Sequence, residues 1–168
     1  MGVVVENQGF IVRSIQNQSN DDIAFGTVLI RAAGGSGTAA VNTVNPNGAK
    51  PADSTAATTN FVGIAVKQVK TQLGYYPAPN GAVYADKEQM SMLVFGTVTM
   101  KCYYGTPTAG AAVYLRTVAN SSNGGVVGGL DATADGVDNF KLPFCYWAGM
   151  PDENGVDGVV FTQENHPV

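Results

Sequence analysis

Apolar residues recur with a period of two along much of the chain. In the stretch 92–116, MLVFGTVTMKCYYGTPTAGAAVYLR, Met92, Val94, Val98, Met100 and Cys102 fall on alternate positions. Tyr104-Gly105-Thr106-Pro107 interrupts the alternation and Ala111–Arg116 resumes it. Such a pattern, bounded by Gly and Pro, predicts antiparallel strands with one buried face. The same reading predicts strands at Ile23–Arg31, Phe61–Val69, Asn139–Trp147 and Gly158–Thr162. Shorter strands are expected near Phe10–Val12 and Val83–Ala85, with a hairpin around Asn120–Gly129. Pro77 and Pro79 exclude a central strand from the link TQLGYYPAPNGAVYADKE. Pro151-Asp152-Glu153-Asn154-Gly155 is a turn, because Pro presets φ and Gly supplies a positive one. No stretch sustains a capped helical period. About seven to nine strands at this spacing predict an all-β antiparallel sandwich or barrel.

The pattern weakens in two places. Residues 1–22 lose apolar content after Val12 and include the polar run Gln16–Asp22, so they read as an N-terminal arm preceding a single domain over 23–168. Residues 32–60 are dominated by Ala, Gly, Asn, Thr and Pro, with two Val as the large apolar side chains. A stretch of that composition cannot offset its ordering entropy alone and reads as a long mobile loop that orders against a partner. One echo exists: Phe25-Gly26-Thr27-Val28 recurs as Phe95-Gly96-Thr97-Val98. It is either chance or two strands that each need Gly at a bend.

Composition narrows the function. Asp, Glu, Lys and Arg make up 13% of the 168 residues, about half the ordinary ~25%. A surface so poor in charge suits close contact with other protein more than a free monomer's solubility. The net charge is −4, and Lys and Arg form no run. Counter-ion release on phosphate needs clustered cations, so direct nucleic-acid binding is not expected. No apolar run approaches the ~20 residues that span a bilayer. MGVVVENQGFIVRS lacks the basic and apolar regions of a signal peptide, and Glu6 stands where a myristoylation motif wants Ser or Thr. Synthesis in a cytoplasm is therefore expected, and Cys102 and Cys145 read as buried free thiols rather than a disulfide.

Catalytic equipment is sparse. His166 is the only histidine and stands before Pro167 at the C-terminus, a poor place for a base held by a third group. Two Cys 43 positions apart give no zinc set. Gly34–Gly37 lacks the Gly-Lys-Ser/Thr of a phosphate loop. The acids Asp131, Asp135 and Asp138, and Asp152, Glu153 and Asp157, read as solvated turn residues. The alternatives are a weak calcium site or a carboxylate pair for hydrolysis. No cofactor is expected. Aromatics are adjacent at Tyr75-Tyr76, Tyr103-Tyr104 and Tyr146-Trp147. In a strand one of each pair enters the core while the other faces out, as a core rim, a contact between subunits or a sugar-stacking platform.

From residue 61 onward the chain resembles the capsid cement, or decoration, proteins of tailed bacteriophages. The resemblance is carried by Phe61–Val66 (FVGIAV), Phe95–Cys102 (FGTVTMKC) and Tyr104–Arg116 (YGTPTAGAAVYLR). It continues through Gly124–Gly136 (GGVVGGLDATADG), Phe140–Gly149 (FKLPFCYWAG) and Asp152–Phe161 (DENGVDGVVF). It implies a β-sandwich, often jelly-roll-like, that forms homotrimers on the outer capsid surface of the virion. There it bridges capsomers of the major capsid protein and resists internal DNA pressure. The expected partner-binding residues are Phe10, Val12 and Arg13 of the arm, with Tyr75, Tyr76, Tyr104 and Trp147. A carbohydrate-binding or adhesin module stacking sugars on Tyr75, Tyr76 and Trp147, or another virion part such as a tail component, are the alternatives.

Overall fold

The computed structural model describes residues 10–18, 22–31, 38–40, 61–66, 83–122, 124–149 and 151–161. Among them there is no helix. The strands are β1 (Ile11–Gln16), β2 (Ile23–Ala24), β3 (Val28–Arg31), β4 (Thr38–Ala40), β5 (Phe61–Ala65) and β6 (Val83–Tyr84). They continue with β7 (Gln89–Lys101), β8 (Ala112–Arg116), β9 (Leu130–Asp131), β10 (Asn139–Trp147) and β11 (Val156–Phe161). Nine of them join one antiparallel sheet in the order β4-β3-β5-β7-β11-β10-β8-β9, with β1 also on β7; β2 and β6 form a separate ribbon. The sheet curls into a half-barrel, so the all-β antiparallel class expected from the alternation holds.

Long β7 joins the two flanks. Met92 pairs with both Arg13 of β1 and Ala65 of β5, and Leu93 with both Val12 and Ile64, so β1 and β5 lie on opposite edges of its first half. Its second half pairs with β11 from Gly96 to Lys101. Inside the curl, Val28, Ile30, Phe61, Ile64 and Leu93 pack with Val113, Leu115, Leu142, Trp147 and Val159. The outside of the β3–β5–β7 flank is covered as well: Leu29, Val62, Met90, Met92 and Val94 pack with Ile23 and Tyr84 of the β2–β6 ribbon. Phe25 meets Tyr84 edge to face at 5.0 Å between ring centroids. Covering on both faces is why β5, FVGIA, is buried at every position and does not alternate.

The alternation in β7 needs a correction. Leu93, Val98 and Met100 face the inner core, whereas Met92 and Val94 face the outer cluster. The even-numbered residues therefore do not share one face. Ile11 and Val12 lie opposite Phe95 and Leu93, leaving an extra residue on β7, and Gly96 follows at φ 115°. A bulge reverses which side chains point inward. The echo at residue 25 has the same backbone cause in a different place: Gly26, at φ 83°, turns the chain between β2 and β3.

Two further expectations meet the structure here. Within the segment read as an arm, Ile11–Gln16 are a strand of the chain's own sheet. Asn17 bonds Glu88 and Lys87 through its backbone, and its side-chain amide donates to the carbonyls of Tyr84 and Ala85. Within 32–60, read as loop throughout, Thr38–Ala40 pair with β3; the rest of that stretch lies outside the described residues.

Candidate partner-binding surface

The polar residues that sequence patterning leaves to the turns prove to be structural. Arg116 ends β8 with no exposure, beside Asp131 of β9, also with none. Its Nε and second guanidinium nitrogen reach Asp131 Oδ2 at 2.9 and 2.8 Å, and the same nitrogen reaches Asp135 Oδ2 at 2.9 Å. Asn139 donates to Asp131 Oδ2 at 2.8 Å and to the Thr133 carbonyl at 2.9 Å. Tyr104, half-buried, lies with its ring 5.6 Å from the guanidinium carbon. Burial opposes the charge on Arg116, but the bonds to Asp135 and Asp131 outweigh it and hold its pKa above the ordinary value. Burial lifts the Asp131 carboxyl above the usual carboxylate range, against the pull of Asn139 and Arg116. Asp131 is thus no solvated turn acid but the buried counter-ion that pins the 117–138 excursion to the sheet. Asp131 itself has no exposure, while its neighbour Asp135 keeps about a quarter of its side chain exposed, 24%.

The second acidic turn is likewise self-contained. Asp152 accepts from the backbone N–H of Asn154 and Val156 at 2.8 Å each, which pulls its pKa down. Asp157 is buried and accepts from Gly149 N–H at 2.7 Å. Among the described residues no three His, Cys, Asp or Glu gather as metal ligands. His166 lies outside the described residues. Cys102 and Cys145 are buried and unpaired with each other. Burial raises both thiols, Cys145 to about 12.

Trp147, expected to touch a partner, is a correction. It has no exposure and sits in the inner core, its indole N–H donating to the Asp131 carbonyl at 3.3 Å. The β10 register decides this: Asn139, Leu142, Cys145 and Trp147 are buried while Lys141, Phe144 and Tyr146 are exposed. Its partner in the adjacent pair, Tyr146, is the outward one. The sugar-stacking alternative loses its Trp by the same fact. Tyr75 and Tyr76 lie outside the described residues.

Among the described residues, the exposed large apolar side chains of the strands fall on two surfaces. Phe10, Val12 and Arg13 come together at and before the start of β1, where Phe10 is 71% exposed and Ile11 and Val12 are more than two-fifths exposed. The other surface is the outer face of β8, β10, β11 and the second half of β7. Ala112, Tyr146, Val160 and Thr97 pair across it in one row, with Tyr114 opposite Lys141 beside it. Sequence reading missed this face because β10 breaks its period. Lys141 pairs with Tyr114 and Tyr146 with Ala112, so four residues, Leu142–Cys145, lie against the single Val113. Leu142 and Cys145 turn into the core, and Phe144 is pushed out at 45% exposure. Phe144 holds a left-handed φ of 59°, which costs a residue other than Gly roughly 1–3 kcal/mol. Pro143, within an apparent strand, was the available signal for a bulge.

A family model described as structural cement protein (E217 gp24/Pam3 gp6) matches residues 2–162. A chain from the solved capsid of Myoviridae phage XM1 superposes with a TM-score of 0.57 at 14% identity, over 97% of this chain and 89% of that one. At that identity the likeness is one of fold. No curated protein matches the chain.

Proposed function

The chain belongs to the phage structural cement protein family, and from that premise we propose that it trimerises on the outer surface of a phage head and bridges neighbouring capsomers. Its place as a capsid-associated structural protein of the virion follows from the family; the symmetry, the outward location and the bridging are the proposal. The family match over nearly the whole chain is the observation that carries it. Three physical features support it. The chain is poor in charge, its polar clusters are internal pins, and the exposed faces of β1 and β10 offer apolar and aromatic contact area. Low charge suits a surface that is covered in the assembly. Symmetric copies add modest contacts as avidity once one subunit has docked. With cations scattered, the packaged nucleic acid is not a partner in this reading. Synthesis in the host cytoplasm, before attachment, completes it.

Attachment is the test. Purified protein mixed with heads that lack it should co-sediment with them at saturating stoichiometry. Light scattering of the free protein should give a mass of three 17.4 kDa chains. A strict monomer at all concentrations would remove the trimer, and failure to bind heads would remove the capsid role.

A further inference from the structure

Backbone hydrogen-bonding groups alternate sides along a strand, and the end of β7 shows which side each residue uses. Cys102 N–H donates to the Gly155 carbonyl at 2.9 Å, on the side of β11. Tyr103 N–H donates to the Leu130 carbonyl at 2.9 Å, on the side of β9. The N–H and C=O of Thr99 and the N–H of Lys101 therefore point with Tyr103, away from β11. No strand of the described residues meets them there. β1 and β5 pair with β7 at and before Phe95, and β9 reaches it at Cys102. Between them β7 keeps a short open edge, and unpaired N–H and C=O groups in a row are a template for another chain.

A cavity of about 360 Å³ opens at this edge. Thr99–Lys101 form one wall, Phe25–Thr27 another and Val126–Leu130 a third. The volume lies within the ordinary range of binding sites. Charge does not choose the occupant. Lys101 is the one charged side chain among the lining residues, and it pairs with Val156 beside the exposed Asp152 and Glu153. Directional backbone bonds define what fits, and they fit an extended, uncharged stretch of polypeptide. Area then narrows its source. The stretch Thr99–Lys101 buries far less than the roughly 1,200–2,000 Å² of a stable interface. The occupant is a segment of a protein held by other contacts, not a second copy docking through this gap alone.

We propose that the gap is a strand-addition site, where an extended, uncharged segment of a capsid protein pairs with Thr99 and Lys101 and fills the cavity. The proposal rests on the capsid-binding reading and adds the site and the partner's conformation. Main-chain bonds supply the affinity, and the segment's side chains meet the apolar walls at Phe25 and Val126.

Amide hydrogen exchange reads the edge directly. In the free protein the Thr99 and Lys101 amides should exchange fast, while Val98 and Met100, which face β11, stay protected. Attachment to heads should slow Thr99 and Lys101 by roughly tenfold or more. Thr99→Pro removes a donor on an open edge, where a strand tolerates Pro, and should weaken attachment. Protection of both amides in the free protein at every concentration overturns the proposal, because the edge is then already paired. Protection that appears only as the free protein is concentrated assigns the gap to a second copy and overturns the capsid partner. Fast exchange of both amides on heads that hold the protein overturns the site, as does folded Thr99→Pro protein that attaches with the parent's affinity. If Thr99→Pro does not fold, the exchange on heads decides. Parent protein that fails to bind heads refutes the capsid reading instead, so the two failures are distinguishable.

Discussion

Replacing Arg116 with methionine is expected to destabilise the domain by about 3–5 kcal/mol, because it strands a buried charge. For a chain of this length that is a fall in melting temperature of roughly 6–20 °C. The geometry carries the expectation. Arg116 and Asp131 have no exposure, and Arg116 alone among the described residues supplies Asp131 with a counter-ion. Asp131 Oδ1 has no hydrogen-bond partner in the described structure, so the Asn139 amide on Oδ2 is the side-chain bond left to the carboxylate among the described residues. Methionine keeps most of the volume and removes the charge, which separates the electrostatic loss from a cavity. The double variant Arg116→Met, Asp131→Leu should recover much of the stability, since an apolar pair of similar volume often equals a buried ion pair. Calorimetry on the parent and both variants checks this. A loss under about 1 kcal/mol for the single variant would show that water or a shifted side chain reaches Asp131.

Trp147→Ala should cost about 3–5 kcal/mol. The side chain is the largest of the fully buried ones, and its indole N–H holds the Asp131 carbonyl beside the Arg116 network. Against a typical total of 5–15 kcal/mol, that brings the domain close to unfolding at 37 °C. Trp147→Phe should retain the fold with a smaller loss. As the single Trp of the chain, it also reports directly. Its emission in the parent should be blue-shifted and resistant to acrylamide, and attachment to heads should leave it unchanged. Ready quenching in the free protein would contradict the buried position.

What the sequence showed and what it hid follow from the range of each interaction. Strands with one or two sealed faces were legible: β10 was expected at Asn139–Trp147 and is found there, and β8 falls within a residue of its expected limits. The turn at Pro151–Gly155 is closed as expected, with Gly155 N–H on the Asp152 carbonyl at 3.0 Å and φ 73° at Gly155. Asn120 and Gly125 form the bridge of the expected hairpin. Bulges were hidden, because one extra residue at 94–96 or at 142–145 changes which face a side chain takes without altering local propensity. That is why Trp147 was read as outward and Phe144 was overlooked. The Arg116 network was hidden because its acids are 15 and 19 positions away, and a charge at a strand end ordinarily reads as solvated. One signal did exist. Gly125 packs against Arg116, and a β-carbon there would run into the guanidinium group. The glycines at 124–125 and 128–129 thus reflect close approach as well as turning.

The arm shows the same limit. Reading residues 1–22 as separable suggested that their removal would leave the fold intact. Since β1 pairs with β7 over its whole length, that deletion would also uncover an edge of the central strand, and loss of attachment would no longer isolate contact from folding. Point changes at Phe10 or Arg13 keep the strand and are the cleaner probes.

The central claim is that this chain binds a phage head and strengthens it. The most direct measurement is the temperature at which heads open, followed by DNA release, for heads lacking the protein and for the same heads after the purified chain is added back. Heads without it should open at a lower temperature, and saturating add-back should restore the original value. Heads that open at one temperature with and without the bound protein would contradict the claim.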